Sequence, residues 1–358
     1  MFELVLKRPL PPVSQKLQPV SQKLPPVSQK LRGLSRHLVT PLVAAIVVFF
    51  GLGSYWSIEP AVFDVREMAL RQSGNDPKKL VSGAVTTPTL IEVASTLLEK
   101  RGGFLSNDIN PISLWLDNIP NWEYGALVQV RDLTRVLRND FSRSQTQSIE
   151  DRNLAIADPQ FHFNSESWIF PTTESQYRQG IEALKRYLAL LEDPSHREGR
   201  FFVRIDSLRH WLGLVATRLG DLAHRLSASV GVENLDTYAI WELEAGKAAT
   251  KSKEPRYKTP WLKTDDVFYE ARGATWALLH FMYAIQIDFA PVLEDKKGMV
   301  SMQQIIRKLA EAHRPVWSPM ILNGTGYGVT ANHSLVMASY ISRADAAVID
   351  LLNLLRQG

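Results

Sequence analysis

Eight apolar residues run through 201–226 at alternating steps of four and three: Phe201, Ile205, Leu208, Leu212, Val215, Leu219, Leu222 and Leu226. No proline interrupts them. A 3.6-residue period lines all eight along one stripe of a helix, and a stripe that long needs other helices to cover it. Apolar residues also fall on one face in 121–145 (Ala126, Val130, Leu133, Leu137, Phe141), and the four-three steps recur in 174–193 (Tyr177, Ile181, Leu184, Leu188, Leu191). They return in 329–356, with Met337, Ile341, Ala344, Val348, Leu351 and Leu355. Further helices are predicted over 87–100, 264–290 and 301–313. In the first of these Thr87 reads as the N-cap, Pro88 as the first helical residue, and Gly102 and Gly103 as the stop. Period-two strand patterns are scarce. The expected fold is all-α: an N-terminal transmembrane helix, then a bundle of long antiparallel helices with coiled-coil-like packing. The polar stretch 232–263 reads as a loop or crossover, which leaves open whether 59–358 is one body or two halves.

A second heptad spacing has a different meaning. Residues 11–31 hold three copies of one seven-residue unit, "PPVSQKL" with Gln18 opening the middle copy, and Val13, Leu17, Val20, Leu24, Val27 and Leu31 step by four and three. Pro11, Pro12, Pro19, Pro25 and Pro26 fall among them. Each interior proline costs a helix roughly 3 kcal/mol. Residues 1–36 therefore read as a basic, extended or disordered spacer, or as a strip for a proline-recognising partner.

Residues 38–58 contain no charge, and their centre is "PLVAAIVVFFGLG". That length suits a bilayer span, with Tyr55 and Trp56 as interfacial aromatics. The rival reading is a cleaved signal peptide, with Gly51 and Gly53 near the cut. Residues 1–58 carry seven Lys/Arg and one acid (7 − 1 = +6), leaving 34 basic and 36 acidic residues beyond (34 − 36 = −2). The positive-inside rule puts the N-terminus in the cytoplasm and 59–358 in the bacterial periplasm, with 37–58 as the inner-membrane anchor. The near-neutral body argues against nucleic acid. Without cysteine, thiolate metal sites, disulfides and cysteine nucleophiles are excluded.

Candidate binding residues cluster in two places. The loop 317–334 carries Gly324, Gly326, Tyr327, Gly328, Asn332 and His333 just before a helix, where backbone N–H groups can meet an anion. No lysine or preceding strand completes a nucleotide fingerprint, so a tight capped turn is the plainer reading. The stretch "SLWLDNIPNWEYG" carries Asp117, Trp122 and Glu123. With Trp115, Trp168, Trp261 and Trp317, Trp122 either lines a groove for glycan or peptide or plugs a bundle end. No metal-ligand spacing occurs, and no metal or cofactor is expected.

The strings "PNWEYGALVQVRDLTRVLRNDFSRSQTQSIED", "SLRHWLGLVATRLGDLAHRLSASVG", "KTPWLKTDDVFYEARGATWALLH" and "VWSPMILNGTGYGVTANHSLVMASYISRADAAVIDL" carry a resemblance. Over about 59–358 the chain resembles a domain-of-unknown-function family of proteobacterial single-pass inner-membrane proteins. The resemblance implies a bacterial origin, an N-terminal anchor and a helical periplasmic body, and it brings no catalytic residues. Two functions remain in view. One is a membrane-anchored interaction or scaffold protein that meets a protein partner or itself through helical faces and the bilayer through 38–58. The other is a helical enzyme or binding protein for a cell-wall glycan, peptide or lipid, which needs a pocket with convergent carboxylates or a carboxylate beside His333.

Overall fold

The structure, a computed structural model, describes residues 27–72, 81–108, 118–144, 149–193, 195, 200–228, 259–260, 263–314, 316, 321 and 333–357. Side chains of the first helix are described from Thr40 onward. The chain divides into two compact units, Met1–Gly51 and Leu52–Gly358.

α1 (Val27–Trp56) begins in the first unit, inside the third repeat and directly after Pro25 and Pro26, and its residues from Leu52 onward belong to the second. This shortens the spacer expected over 1–36. A proline just ahead of a helix loses no helical hydrogen bond, and the next one along is Pro41. The two earlier repeats lie outside the described residues. Leu42, Val43, Ile46, Val47, Val48 and Phe50 are all exposed on α1. Among the described residues, no helix is long and apolar enough to cross a membrane.

The second unit is all-α, with no strand among its described residues. Its helices are α2 (Val65–Gln72), α3 (Thr86–Glu99), α4 (Asn118–Val136), α5 (Arg152–Phe161), α6 (Thr173–Glu192), α7 (Ile205–Ala228), α8 (Thr264–Asp288), α9 (Ala290–Asp295), α10 (Met299–Ala312) and α11 (His333–Arg356). The last turn of α4 widens into a π-helical turn, Leu137–Phe141. The apolar stripes read from the sequence are the core: Leu133, Leu137, Phe141, Leu184, Leu208, Leu212, Leu219, Ile341 and Val348 are fully enclosed. Helices before and after 232–263 share that one core. The four-three series begins its helix late, because Phe201 lies in an irregular lead-in and packs its ring on Phe141 and Phe289.

The central pair departs from an antiparallel bundle. Asn121 meets Asp266 at the start of α4 and α8, and Phe141 meets Phe289 at their ends. The two helices therefore run in the same direction. They touch backbone to backbone: a Cβ on Gly125 would lie 1.9 Å from the Glu270 carbonyl oxygen, and one on Gly273 1.9 Å from that of Trp122. Only glycine permits that approach. The long connection between them removes any need for antiparallel neighbours. Two further pairings are antiparallel: His210 on α7 reaches Asp140 and Arg218 reaches Asp132 on α4, while α3 starts at Asp288, the end of α8.

The start of α3 corrects an expectation. Thr87 is not its cap but a buried residue of the first turn. The helix begins at Thr86, and Asp288 supplies the missing acceptor from another helix. Its carboxylate accepts from Thr86 N at 2.7 Å and from Thr86 Oγ1 at 2.6 Å. Burial raises the Asp288 carboxyl above the usual range, and the donors around it, Thr86 foremost, pull it back. Gly102 and Gly103 end α3 as expected, both with positive φ.

Candidate functional site

Trp122 and Glu123 open α4, where the helix dips into the core, and neither side chain is available to a ligand. The Trp122 ring packs on Trp276 at 5.1 Å. The Glu123 carboxylate turns the other way, into the turn that follows α3. It accepts from Leu105 N and Ser106 N, both at 2.8 Å, and from Ser106 Oγ at 2.5 Å. Lys100 Nζ lies 2.5 Å away, with both side chains buried. Lys100 also donates to Gly103 O at 2.5 Å. Burial pushes the Glu123 carboxyl up, while Lys100, Ser106 and Leu105 oppose the shift. A carboxylate so fully paired and sealed is a clasp for the turn 100–107, not a general acid. Its position just after Trp122 and before the apolar stripe was visible in the sequence, but its partners, seventeen or more residues away, were not.

The other candidates are not brought to it. Asp117, Gly324, Gly326, Tyr327 and Asn332 lie outside the described residues, as do Trp115, Trp261 and Trp317. His333 is the first residue of α11, half-buried, with its ring 6.5 Å from that of Phe268.

What the structure does assemble is a strap. After α1, residues 59–63 run along α8 and are held at three points one turn apart. Glu59 forms a bidentate pair with Arg272 (2.6 and 2.7 Å), the Trp276 indole N–H donates to Ala61 O at 3.3 Å, and Phe63 N donates to His280 Nε2 at 3.1 Å. Phe63 stacks on the His280 ring at 3.9 Å. Because His280 Nε2 accepts, its proton sits on Nδ1, which donates to Trp276 O at 2.7 Å. Burial lowers His280 to about 4, so the ring is neutral. Arg272 also donates to Ala312 O, the last carbonyl of α10, and to Arg314 O just beyond it. His313 next to them is lowered to about 3, first by burial and then by the Arg272 charge. The signal for this strap was present as Glu59, the first acid after the uncharged run. Its partner is 213 residues further on.

A shallow cleft of about 250 Å³ opens between α4, α7 and α8, lined by Tyr124, Gln129, Arg218, Asp221, Arg225 and Glu270. Its charges are spoken for. Arg225 pairs with Glu270 (2.5 and 2.7 Å) and Asp221 (2.9 Å), and Arg218 pairs with Asp132 at 2.7 Å. These pairs join the three helices. Among the described residues no group of three or more His, Asp or Glu side chains could hold a metal ion.

The helix ends that flank the long connections meet at one end of the bundle. Residues 108, 118, 228, 263, 314 and 333 flank these connections, at the ends of the turn after α3, of α7 and of α10 and at the starts of α4, α8 and α11. Contacts among these ends place them together: Glu123 with Ser106, Asn121 with Asp266, Arg225 with Glu270, Arg272 with Ala312, and His333 with Phe268. The last turn of α1 enters at the same end, where Trp56 packs over Gly102 and Arg101 lies over the Tyr55 ring at 5.2 Å.

A bacterial family described as an uncharacterized protein conserved in bacteria (DUF2333) matches residues 29–358. The chain belongs to this family. The match takes in part of the third repeat unit, the uncharged run and the whole bundle, and leaves the first two repeat units outside. No curated protein and no solved structure matches the chain.

Proposed function

We propose that this family member is a membrane-anchored interaction or scaffold protein of the bacterial envelope. Residues 38–58 lie in the inner membrane, the basic N-terminus in the cytoplasm and the bundle in the periplasm. The observation that carries the reading is the exposure of large apolar side chains on every side of α1 at 42–50. A helix apolar all round, with no polar face to turn to water, suits a bilayer. The 21-residue uncharged run and the preceding Lys and Arg residues support the span and its direction. The bundle contributes paired charges and a sealed Glu123, which favours holding a partner over performing chemistry. Its helical faces are the surfaces offered to a protein partner or a second copy.

The test is fractionation and crosslinking in cells. The full chain should stay with membranes after alkaline extraction, and removal of 38–58 should release it. A C-terminal reporter active only in the periplasm should be active. A photocrosslinker at Tyr124, exposed at the cleft rim, should capture one recurrent protein. Release of the intact chain by alkali would overturn the anchor, and capture of glycan or lipid fragments alone would replace scaffold with ligand binding.

A further inference from the structure

The loop between α5 and α6 carries three consecutive large apolar residues in the open: Trp168 at 58 %, Ile169 at 60 % and Phe170 at 93 % exposed. Single exposed apolar residues are ordinary, but three in a row at a loop tip are not. Nor is the loop loosely held. Its base is cross-braced by Thr173, which donates through N and Oγ1 to Ser167 O and through Oγ1 to Asn164 O. Ser167 Oγ donates to Ile169 O and Pro171 O. Arg131 grips the preceding turn at Phe161 O and Phe163 O. A braced base with an apolar tip is built to present that tip.

Its place in the fold says what it meets. Asn107 Nδ2 donates to Ser167 O at 2.9 Å and to Glu174 Oε2 at 3.0 Å. Asn107 belongs to the turn 100–107, which Glu123 clasps from one side and Trp56 covers at Gly102. The apolar tip and the last turn of α1 are thus braced on the same short turn, at the same end of the bundle. Trp and Phe with an aliphatic neighbour is the composition that settles at the headgroup–acyl boundary.

We propose that Trp168, Ile169 and Phe170 insert into the interfacial layer of the bilayer that holds α1, giving the bundle a second foothold that fixes its tilt on the membrane. The proposal rests on the anchor reading above. Two contacts restrict the bundle's rotation where one helix would leave it free to swing, and the end that carries the turn 100–107 then faces the lipid surface.

The chain has no cysteine, so one introduced thiol is a unique label. Full-length Phe170→Cys, Trp168→Cys, Val48→Cys and Ile149→Cys proteins would carry an environment-sensitive fluorophore in vesicles of phosphatidylethanolamine and phosphatidylglycerol. Ile149 is 95 % exposed, between the end of α4 and α5 and so at the opposite end. Lipids bearing a nitroxide near the headgroup should quench the labels at 170 and 168 several-fold and leave the label at 149 unchanged. The label at 48 should be quenched by nitroxides deep in the chains. If 48 is quenched and 170 and 168 behave like 149, the foothold is wrong and the anchor stands. If 48 is not quenched, the anchor itself fails. Protection of 170 from an aqueous quencher without quenching from lipid would overturn the foothold in favour of a protein surface.

Discussion

Gly125 and Gly273 show how much one missing methyl group decides. At both, a Cβ would meet backbone rather than a movable side chain. Gly125→Ala or Gly273→Ala should therefore push α4 and α8 apart and cost about 3 kcal/mol, the upper part of the overpacking range. Gly213 on α7 meets nothing within 4 Å. Gly213→Ala should be neutral or stabilise by up to about 1 kcal/mol, since alanine is the better helix former. Thermal melts of the three detergent-solubilised proteins should separate them in that order, and equal melting points would remove the close crossing. Asp345 on α11 gives a second test. Burial raises its carboxyl from 3.8 to about 6. The folded state then holds the proton more tightly than the unfolded one, so this group's contribution is full below pH 3.8 and is lost as pH rises toward 6. Asp345→Asn should raise the melting temperature above pH 6 and have little effect near pH 4.

At the scale of elements, helix ends are closed by residues from elsewhere in the chain. Asp288 caps α3, Arg272 caps α10, and Arg131 takes the carbonyls after α5. Such caps couple the element they close to the one that supplies them. The strap is the clearest case. Removing the Glu59 charge leaves the Arg272 guanidinium buried and without its carboxylate, a loss on the order of 3 kcal/mol. Glu59→Gln should lower the melting temperature and expose 59–63 to protease before the core unfolds. A protease pattern identical to wild type would show that the strap is held by Phe63 and Trp276 alone.

For the whole molecule the two buried histidines set an acid limit. His280 and His313 fall from 6.5 to about 4 and about 3 on folding. Their contribution is complete above pH 6.5 and is lost as pH falls from there through 4 and then 3. His280 faces Phe63, Trp276 and the neutral His313. His313 faces the Arg272 charge, which Glu59 offsets. Chemical denaturation from pH 7 to 4 should show stability dropping across this window, and His313→Gln should flatten the slope. An unchanged slope would show that His313 does not set the acid sensitivity.

The sequence by itself determined the fold class and the core. Apolar residues at a helical period must face inward whatever covers them, so Leu208 to Leu226, Ala126 to Phe141 and Met337 to Leu355 were legible one by one. It also marked the apolar α1 run and the glycine stop of α3. Only the tertiary structure decided which helices pair, that α4 and α8 run the same way, that Asp288 rather than Thr87 caps α3, and that Glu123 is a clasp. Each of these depends on a partner far away in sequence, as Glu59 does on Arg272. Spacing records which face of a helix is buried, and it carries no information about what lies opposite. The Trp168–Phe170 tip was legible as composition. Its exposure, and its brace on the turn that seats Trp56, are properties of the folded chain.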